Sequence, residues 1–156
     1  MPTSSLKSPN LSFGIIKSAF NQNVVNLLFE GLARGFQDAG IDQKYIDVYD
    51  APGAMELPVS AKHLCETGKY SAVIALGCVI RGNTPHFEYV SAETTRGLSQ
   101  VSLTTGIPVI FGVLTVNTLE DAMDRVKNDK SNKGYEAAMA AVEMAKLILR
   151  IKSSRQ

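Results

Sequence analysis

The sequence predicts an α/β fold: a parallel four-stranded sheet with helices on both faces. Two observations carry that expectation. The apolar runs Ala72–Ile80 and Ile107–Leu114 are too continuous to alternate between faces, so they read as strands buried on both sides, the habit of parallel sheets. Strand-like and helix-like segments also alternate along the chain as βαβαβαβα, and parallel strands need crossover helices. At 156 residues the chain fits one domain, taken as residues 11–156, behind a loose tail of residues 1–10 that holds prolines and serines.

Each element has a local reason. Leu11–Ile16 reads as the first strand, and Asn21 or Asn23 as the cap of a helix carrying Val24, Leu27, Leu28, Leu32 and Phe36, closed by Gly40. Tyr45–Tyr49 reads as the second strand, and Pro52-Gly53-Ala54 as a turn into a helix with Leu57, Ala61, Leu64 and Cys65 that stops at Gly68. Ala72–Ile80 is the third strand. Thr84 then suits a helix cap and Pro85 the first helical turn, with Gly106 as the stop. Ile107–Leu114 is the fourth strand, with Pro108 at its start, where a missing donor costs little. Thr118 with Asp121 forms a capping pair, and the polar loop 127–132 leads to a last helix running to about Ile151. Alanines and large apolar residues cover most of that helix, leaving a narrow polar stripe of Glu136, Glu143, Lys146 and Arg150. Such a helix is either wedged deep against its own sheet or buried against another subunit.

Composition narrows the function. Sixteen basic and fifteen acidic side chains, net +1, argue against nucleic acid or a membrane held by bulk charge, and the absence of tryptophan argues against a base-stacking surface. The two cysteines, Cys65 and Cys78, form no disulfide framework and no metal quartet. The two histidines, His63 and His86, have no ligand spacing, so no zinc site is expected. No apolar run is long enough to span a bilayer, and residues 1–10 resemble neither a signal nor a transit peptide, so a cytoplasmic location is the default expectation. GxxxxGK[ST], GxGxxG and GxSxG are all missing, and the first strand does not lead into the Ser/Thr-rich phosphate loop of an ordinary flavodoxin.

The chemistry collects where an open α/β sheet binds ligands, beyond the carboxyl ends of its strands. Phe20-Asn21 follows the first strand, Pro52-Gly53-Ala54-Met55-Glu56 the second, Cys78 to His86 the third, and the fourth is read as ending near Phe111 to Thr115. A strand passing through Gly82 into a helix N-terminus makes an anion cradle from free backbone N–H groups. The positive end of that helix favours the neutral, proton-shuttling imidazole of His86. Each residue also has a plainer role. Phe20 suits a core aromatic, Glu56 a helix N-terminus, His86 the surface, Arg81 a structural ion pair, and Arg125 with Lys133 a solvated charge cluster.

Ordered motifs complete the reading: Ala19-Phe20-Asn21, PGAMELP (52–58), TGKYSAVIALGCVIRGNTPHFEYV (67–90), PVIFGVLT (108–115) and NKGYEAA (132–138). From about Phe13 to Ile151 the chain resembles the 6,7-dimethyl-8-ribityllumazine synthase family, of the penultimate step of riboflavin biosynthesis. The resemblance implies a flavodoxin-like three-layer α/β/α sandwich. It also implies condensation of 5-amino-6-(D-ribitylamino)uracil with 3,4-dihydroxy-2-butanone 4-phosphate, releasing phosphate and water, with no cofactor and no metal. Carried across, Phe20 stacks on the pyrimidine; Ala54, Met55 and Glu56 line the ribityl chain; Cys78, Val79 and Ile80 offer backbone groups to the heterocycle. Gly82, Asn83 and Thr84 hold the phosphate, Arg125 pairs with it, Lys133 lies nearby, Phe111 closes the pocket, and His86 transfers protons. The resemblance also implies a pocket between neighbouring subunits of a pentamer, with Phe111, Arg125 and Lys133 from the neighbour, in free pentamers or a shell of twelve, and riboflavin synthase as a partner. Asn83, Met55, and Asp129 with Ser131 in the loop 127–134 depart from the common family pattern. A flavin or lumazine carrier on the same scaffold is the non-catalytic alternative, and a shell-forming structural protein a third. Retention of Phe20, Glu56, His86, Arg125 and Lys133 favours the enzyme.

Overall fold

In the computed structural model, which describes residues 10–154, four parallel strands pair in the order β2-β1-β3-β4. They are β1 (Phe13–Ser18), β2 (Ile46–Ala51), β3 (Ala72–Ile80) and β4 (Val109–Val116). Five helices cover the sheet: α1 (Gln22–Asp38), α2 (Leu57–Glu66), α3 (His86–Thr105), the short α4 (Leu119–Met123) and α5 (Lys133–Ser153). One core lies between the sheet and α1, α4 and α5, built on Phe13, Ile15, Leu28, Phe36, Ile74 and Leu76. The other lies between the sheet and α2 and α3, built on Ile16, Leu57, Val73, Ala75 and Leu98. This is the three-layer α/β/α sandwich with a flavodoxin-like parallel sheet. The tail expected at residues 1–10 lies, apart from Asn10, outside the described residues.

The third strand falls where its apolar run places it, because both its faces are buried over nearly its whole length. The other three strands each run past the end read from hydropathy. Lys17 and Ser18 extend β1, since Lys17 pairs with Asp50 at 2.7 Å and the Ser18 hydroxyl accepts the Phe20 N–H at 3.1 Å. β2 starts at Ile46 rather than Tyr45, because Gln43–Tyr45 forms a 3₁₀ turn capped by the Asp42 carboxylate. β4 is Val109–Val116 rather than Ile107–Leu114: its ladder with β3 runs from Val73↔Val109 to Ile80↔Val116. Phe111 therefore stands third in β4, opposite Ala75, and not at the strand's end as expected.

Helix ends follow the expected punctuation with one shift. Gly40, Gly68 and Gly106 each take positive φ just past a helix, the left-handed geometry that glycine adopts without strain. The Thr118 hydroxyl accepts the Asp121 N–H at 3.0 Å, as the capping pair predicts. Pro85 is itself the cap residue of α3 rather than its first helical residue, and the Thr84 oxygen makes only a long, 3.4 Å contact with the His86 N–H.

The apolar last helix is wedged against its own chain over its first half. Gly31 and Gly35 on α1 meet Asn132 and Ala138, so close that a Cβ on Gly35 would stand 2.6 Å from the Ala138 methyl. Ala137, Ala138, Ala141, Val142 and Ala145 are buried there. Small residues let the two helices approach, which accounts for the alanine run. Leu147, Ile148 and Leu149 remain only partly buried, and Ile151 is half exposed.

Candidate active site

The carboxyl end of the sheet opens into a crevice because β1 stops pairing with β3 at Lys17↔Leu76, while β3 continues to Ile80. After Ser18, the Ala19 N–H donates to the Ala51 carbonyl at 2.8 Å and the chain turns away. Phe20 is left projecting, 68% exposed, so it is not a core aromatic. After β2, extended Gly53 leads into the 3₁₀ turn Ala54–Glu56, where Met55 and Glu56 are exposed. A Cβ on Gly53 would come within 3.0 Å of the Glu56 carboxylate, so the turn is tight.

β3 supplies the floor. The Val73 N–H donates to Pro108 and the Arg81 N–H to Val116, so the odd-numbered peptide groups of β3 face β4. Peptide groups alternate sides along a strand, so those of Cys78 and Ile80 face the gap left by β1, and those of Val79 belong to the β4 side. Beyond Ile80 the loop is held by Arg81. Its guanidinium donates to Asn117 at 2.9 Å, pairs with Glu88 at 3.2 Å and lies 4.6 Å over the Phe87 ring. The structural ion pair read for Arg81 is therefore present.

A cavity of about 420 Å³ unites these segments. Phe20, Ala54, Met55, Glu56, Cys78, Val79, Ile80, Gly82, Thr84 and His86 line it, and neither Lys nor Arg does. Asn83 is exposed in the same loop but is not among the lining residues. Phe87 and Val90 complete the wall. Sequence reasoning missed both, although Val90 stands one helical turn after His86 and so shares its face.

Phe111, Arg125 and Lys133 are not in that cavity. They line another, of about 440 Å³, between β4 and α5, which shares no lining residue with the first. Arg125 donates to the Asp121 carbonyl at 2.8 Å, and the Lys133 ammonium stands 3.2 Å from Glu136. The Lys133 N–H donates to the Arg125 carbonyl at 2.9 Å, tying the two cations together through the backbone. The departing loop residues bond each other: the Asp129 carboxylate accepts from both the N–H and the hydroxyl of Ser131, which holds its pKa below the usual value. That turn folds the loop where glycine is common.

Burial pushes the Cys78 thiol up to about 11. Near neutral pH the thiol therefore stays protonated and little reactive thiolate forms. Cys65, also buried, is raised for the same reason. Iodoacetamide at pH 7.5 is therefore expected to leave both cysteines unmodified in the native protein and to label them after denaturation. Rapid native labelling of Cys78, read by mass spectrometry, would contradict this.

Among the described residues, no three His, Cys, Asp or Glu side chains gather closely enough to hold a metal ion, and no helix is long and apolar enough to cross a membrane. A family model described as 6,7-dimethyl-8-ribityllumazine synthase matches residues 10–148. The 6,7-dimethyl-8-ribityllumazine synthase of Syntrophus aciditrophicus (strain SB) is 47% identical over 146 residues, which cover 94% of this chain and 95% of the relative. The sheet, the crevice at its carboxyl edge and these matches over nearly the whole length converge: the chain belongs to the 6,7-dimethyl-8-ribityllumazine synthase family.

Proposed function

We propose that this chain condenses 5-amino-6-(D-ribitylamino)uracil with 3,4-dihydroxy-2-butanone 4-phosphate to give 6,7-dimethyl-8-ribityllumazine, phosphate and water. The observation that carries the reading is the crevice itself, which brings an exposed aromatic ring, an unpaired strand edge and the N-terminus of α3 onto one cavity. In this reading Phe20 stacks on the pyrimidine, and Ile80 and Cys78 present peptide edges beside it. Ala54, Met55 and Glu56 follow the ribityl chain. Gly82, Asn83 and Thr84 receive the phosphate at the helix end, where N–H groups and the dipole favour an anion.

The chemistry follows from these placements. The substrate amine attacks the ketone carbonyl and an imine forms with loss of water. Phosphate leaves as the carbon chain is deprotonated, and the ribityl-bearing amine then attacks the remaining carbonyl and expels a second water, which closes the lumazine ring. Each step moves a proton, and His86, on the cavity wall beside the phosphate loop, is placed to donate and accept them. The diamine is already a good nucleophile, so holding two substrates together supplies much of the acceleration.

A phosphate dianion in this cavity needs a cation, and the lining contains no Lys or Arg. Arg125 and Lys133, with Phe111, line a separate cavity of the same chain. This division supports a site completed by a neighbouring copy, as in a pentamer, whether free or in a shell of twelve. The groove along α3, whose lining includes Leu103 at 84% exposure, supports assembly as well. The reading brings with it a cytoplasmic location and delivery of the product to riboflavin synthase.

The test is an anaerobic assay of lumazine absorbance and released phosphate against a protein-free blank, with light scattering for assembly size. Clear acceleration supports the enzyme; lumazine binding without acceleration would leave only a carrier. His86→Ala is expected to lower kcat by only about tenfold, below the usual range for lost acid–base catalysis, because positioning persists. No detectable turnover in a folded, substrate-binding His86→Ala protein would refute that division of labour.

A further inference from the structure

We propose that Asn21 is a positioning residue for the pyrimidine substrate, fixing Phe20 and the β3 edge relative to one another. The inference rests on the condensation reading above and extends it to a residue that reading does not use. Asn21 is the non-glycine residue with positive φ among the described residues, at φ 54° and ψ 46°. Asparagine tolerates this left-handed conformation better than other residues with a side chain, but such backbone persists only where its surroundings hold it.

The side chain also forgoes its ordinary task. Asn21 is the cap residue of α1, yet it makes no side-chain cap bond. The Val24 and Val25 N–H groups donate to its backbone carbonyl instead. Its amide Nδ2 reaches across the crevice and donates to the Cys78 carbonyl at 2.8 Å. That carbonyl lies beyond the last β1–β3 pair, Lys17↔Leu76, so the side chain bridges the strands where the ladder has ended.

Two consequences follow. Phe20, highly exposed, has little packing of its own to orient it. Its direction is set by the Ser18 hydroxyl on its N–H and by the clamped, left-handed Asn21 on its other side. The Asn21 amide also engages one lone pair of the Cys78 carbonyl and so fixes its direction, leaving pyrimidine recognition along this edge chiefly to the neighbouring Ile80 peptide. Asn21 thus sets both the stacking ring and the polar edge that a flat heterocycle would meet.

The test compares Asn21→Gly, which keeps the left-handed backbone and loses the bond, with Asn21→Asp, which keeps size and backbone but sets an acceptor against the Cys78 carbonyl. KM is measured for each substrate separately, with affinity for 6,7-dimethyl-8-ribityllumazine by fluorescence and stability by thermal unfolding. Both variants are expected to raise the pyrimidine KM about tenfold, as for a lost hydrogen bond that orients a ligand, with the butanone phosphate KM unchanged within about twofold and Asn21→Gly as stable as the parent. Unchanged KM values, or both KM values rising together with loss of stability, would overturn the proposal. If the parent protein shows no turnover, the condensation reading fails separately. Lumazine affinity then decides: weakened in Asn21→Gly it supports the clamp, unchanged it refutes it.

Discussion

Arg125→Ala is expected to raise the KM for 3,4-dihydroxy-2-butanone 4-phosphate roughly 10- to 100-fold, the range for losing charge-assisted hydrogen bonds to an anion, with kcat and the pyrimidine KM changing far less. In the proposed reaction the phosphate would be bound before and during its departure, so the guanidinium would contribute mainly to holding it. Steady-state kinetics with each substrate varied in turn checks this; an equal fall in kcat at unchanged KM would contradict it. The same variant tests where the arginine comes from. In the chain, Arg125 and His86 line separate cavities. If a neighbour supplies Arg125, dissociating and reassembling equal amounts of Arg125→Ala and His86→Ala proteins should restore about a quarter of the sites to full composition, since each half is intact in half of the copies. Measured at limiting butanone phosphate, where both parents are slow, mixed assemblies with no more activity than the average of the two parents would place both groups within one chain.

Asn132→Ala is expected to destabilise the fold by about 3 kcal/mol, through a lost helix cap and two stranded carbonyls. Asn132 is 1% exposed. Its Oδ1 accepts from the Gly134 and Tyr135 N–H groups at 2.7 and 3.3 Å, and its Nδ2 donates to the Leu27 and Lys127 carbonyls at 3.1 Å each. One side chain therefore caps α5, pins the preceding loop and ties both to α1. Gly31 lies against it, and a Cβ on Gly134 would fall on the Leu28 carbonyl, so nothing larger fits beside it. In a chain of this size the loss corresponds to a fall in melting temperature of roughly 6–12 °C, compared at fixed subunit concentration. Asn132→Asp keeps the cap acceptors but turns a carboxylate oxygen toward two carbonyls, so it should not rescue. A neutral Asn132→Asp would show that capping alone matters there.

The strand boundaries show where hydropathy stops being informative. Ala72–Ile80 was legible to the residue because burial on both faces demands an unbroken apolar run. Lys17 and Ser18 were not, since their polarity is satisfied by contacts remote in sequence: Asp50 for the lysine, and for the serine the turn that aims Phe20. β4 ends at Val116 because its partner β3 runs to Ile80, and no local pattern encodes a partner's length. Asn21 was legible as a helix cap by residue type. That its side chain crosses to Cys78 depends on where two strands distant in sequence lie side by side.

By itself, the sequence determined the alternation of strands and helices, the stop positions at Gly40, Gly68 and Gly106, and the segments that meet at the carboxyl edge. These rest on local physics: side-chain periodicity, backbone freedom and capping all act within a few residues. Only the tertiary structure decided the strand order, the mid-strand place of Phe111, the packing of α5 on α1 through small residues, and the separation of Arg125 and Lys133 from the cavity of Phe20 and His86. Those depend on which surfaces meet, and a chain's own spacing carries no distance between elements until the sheet has paired.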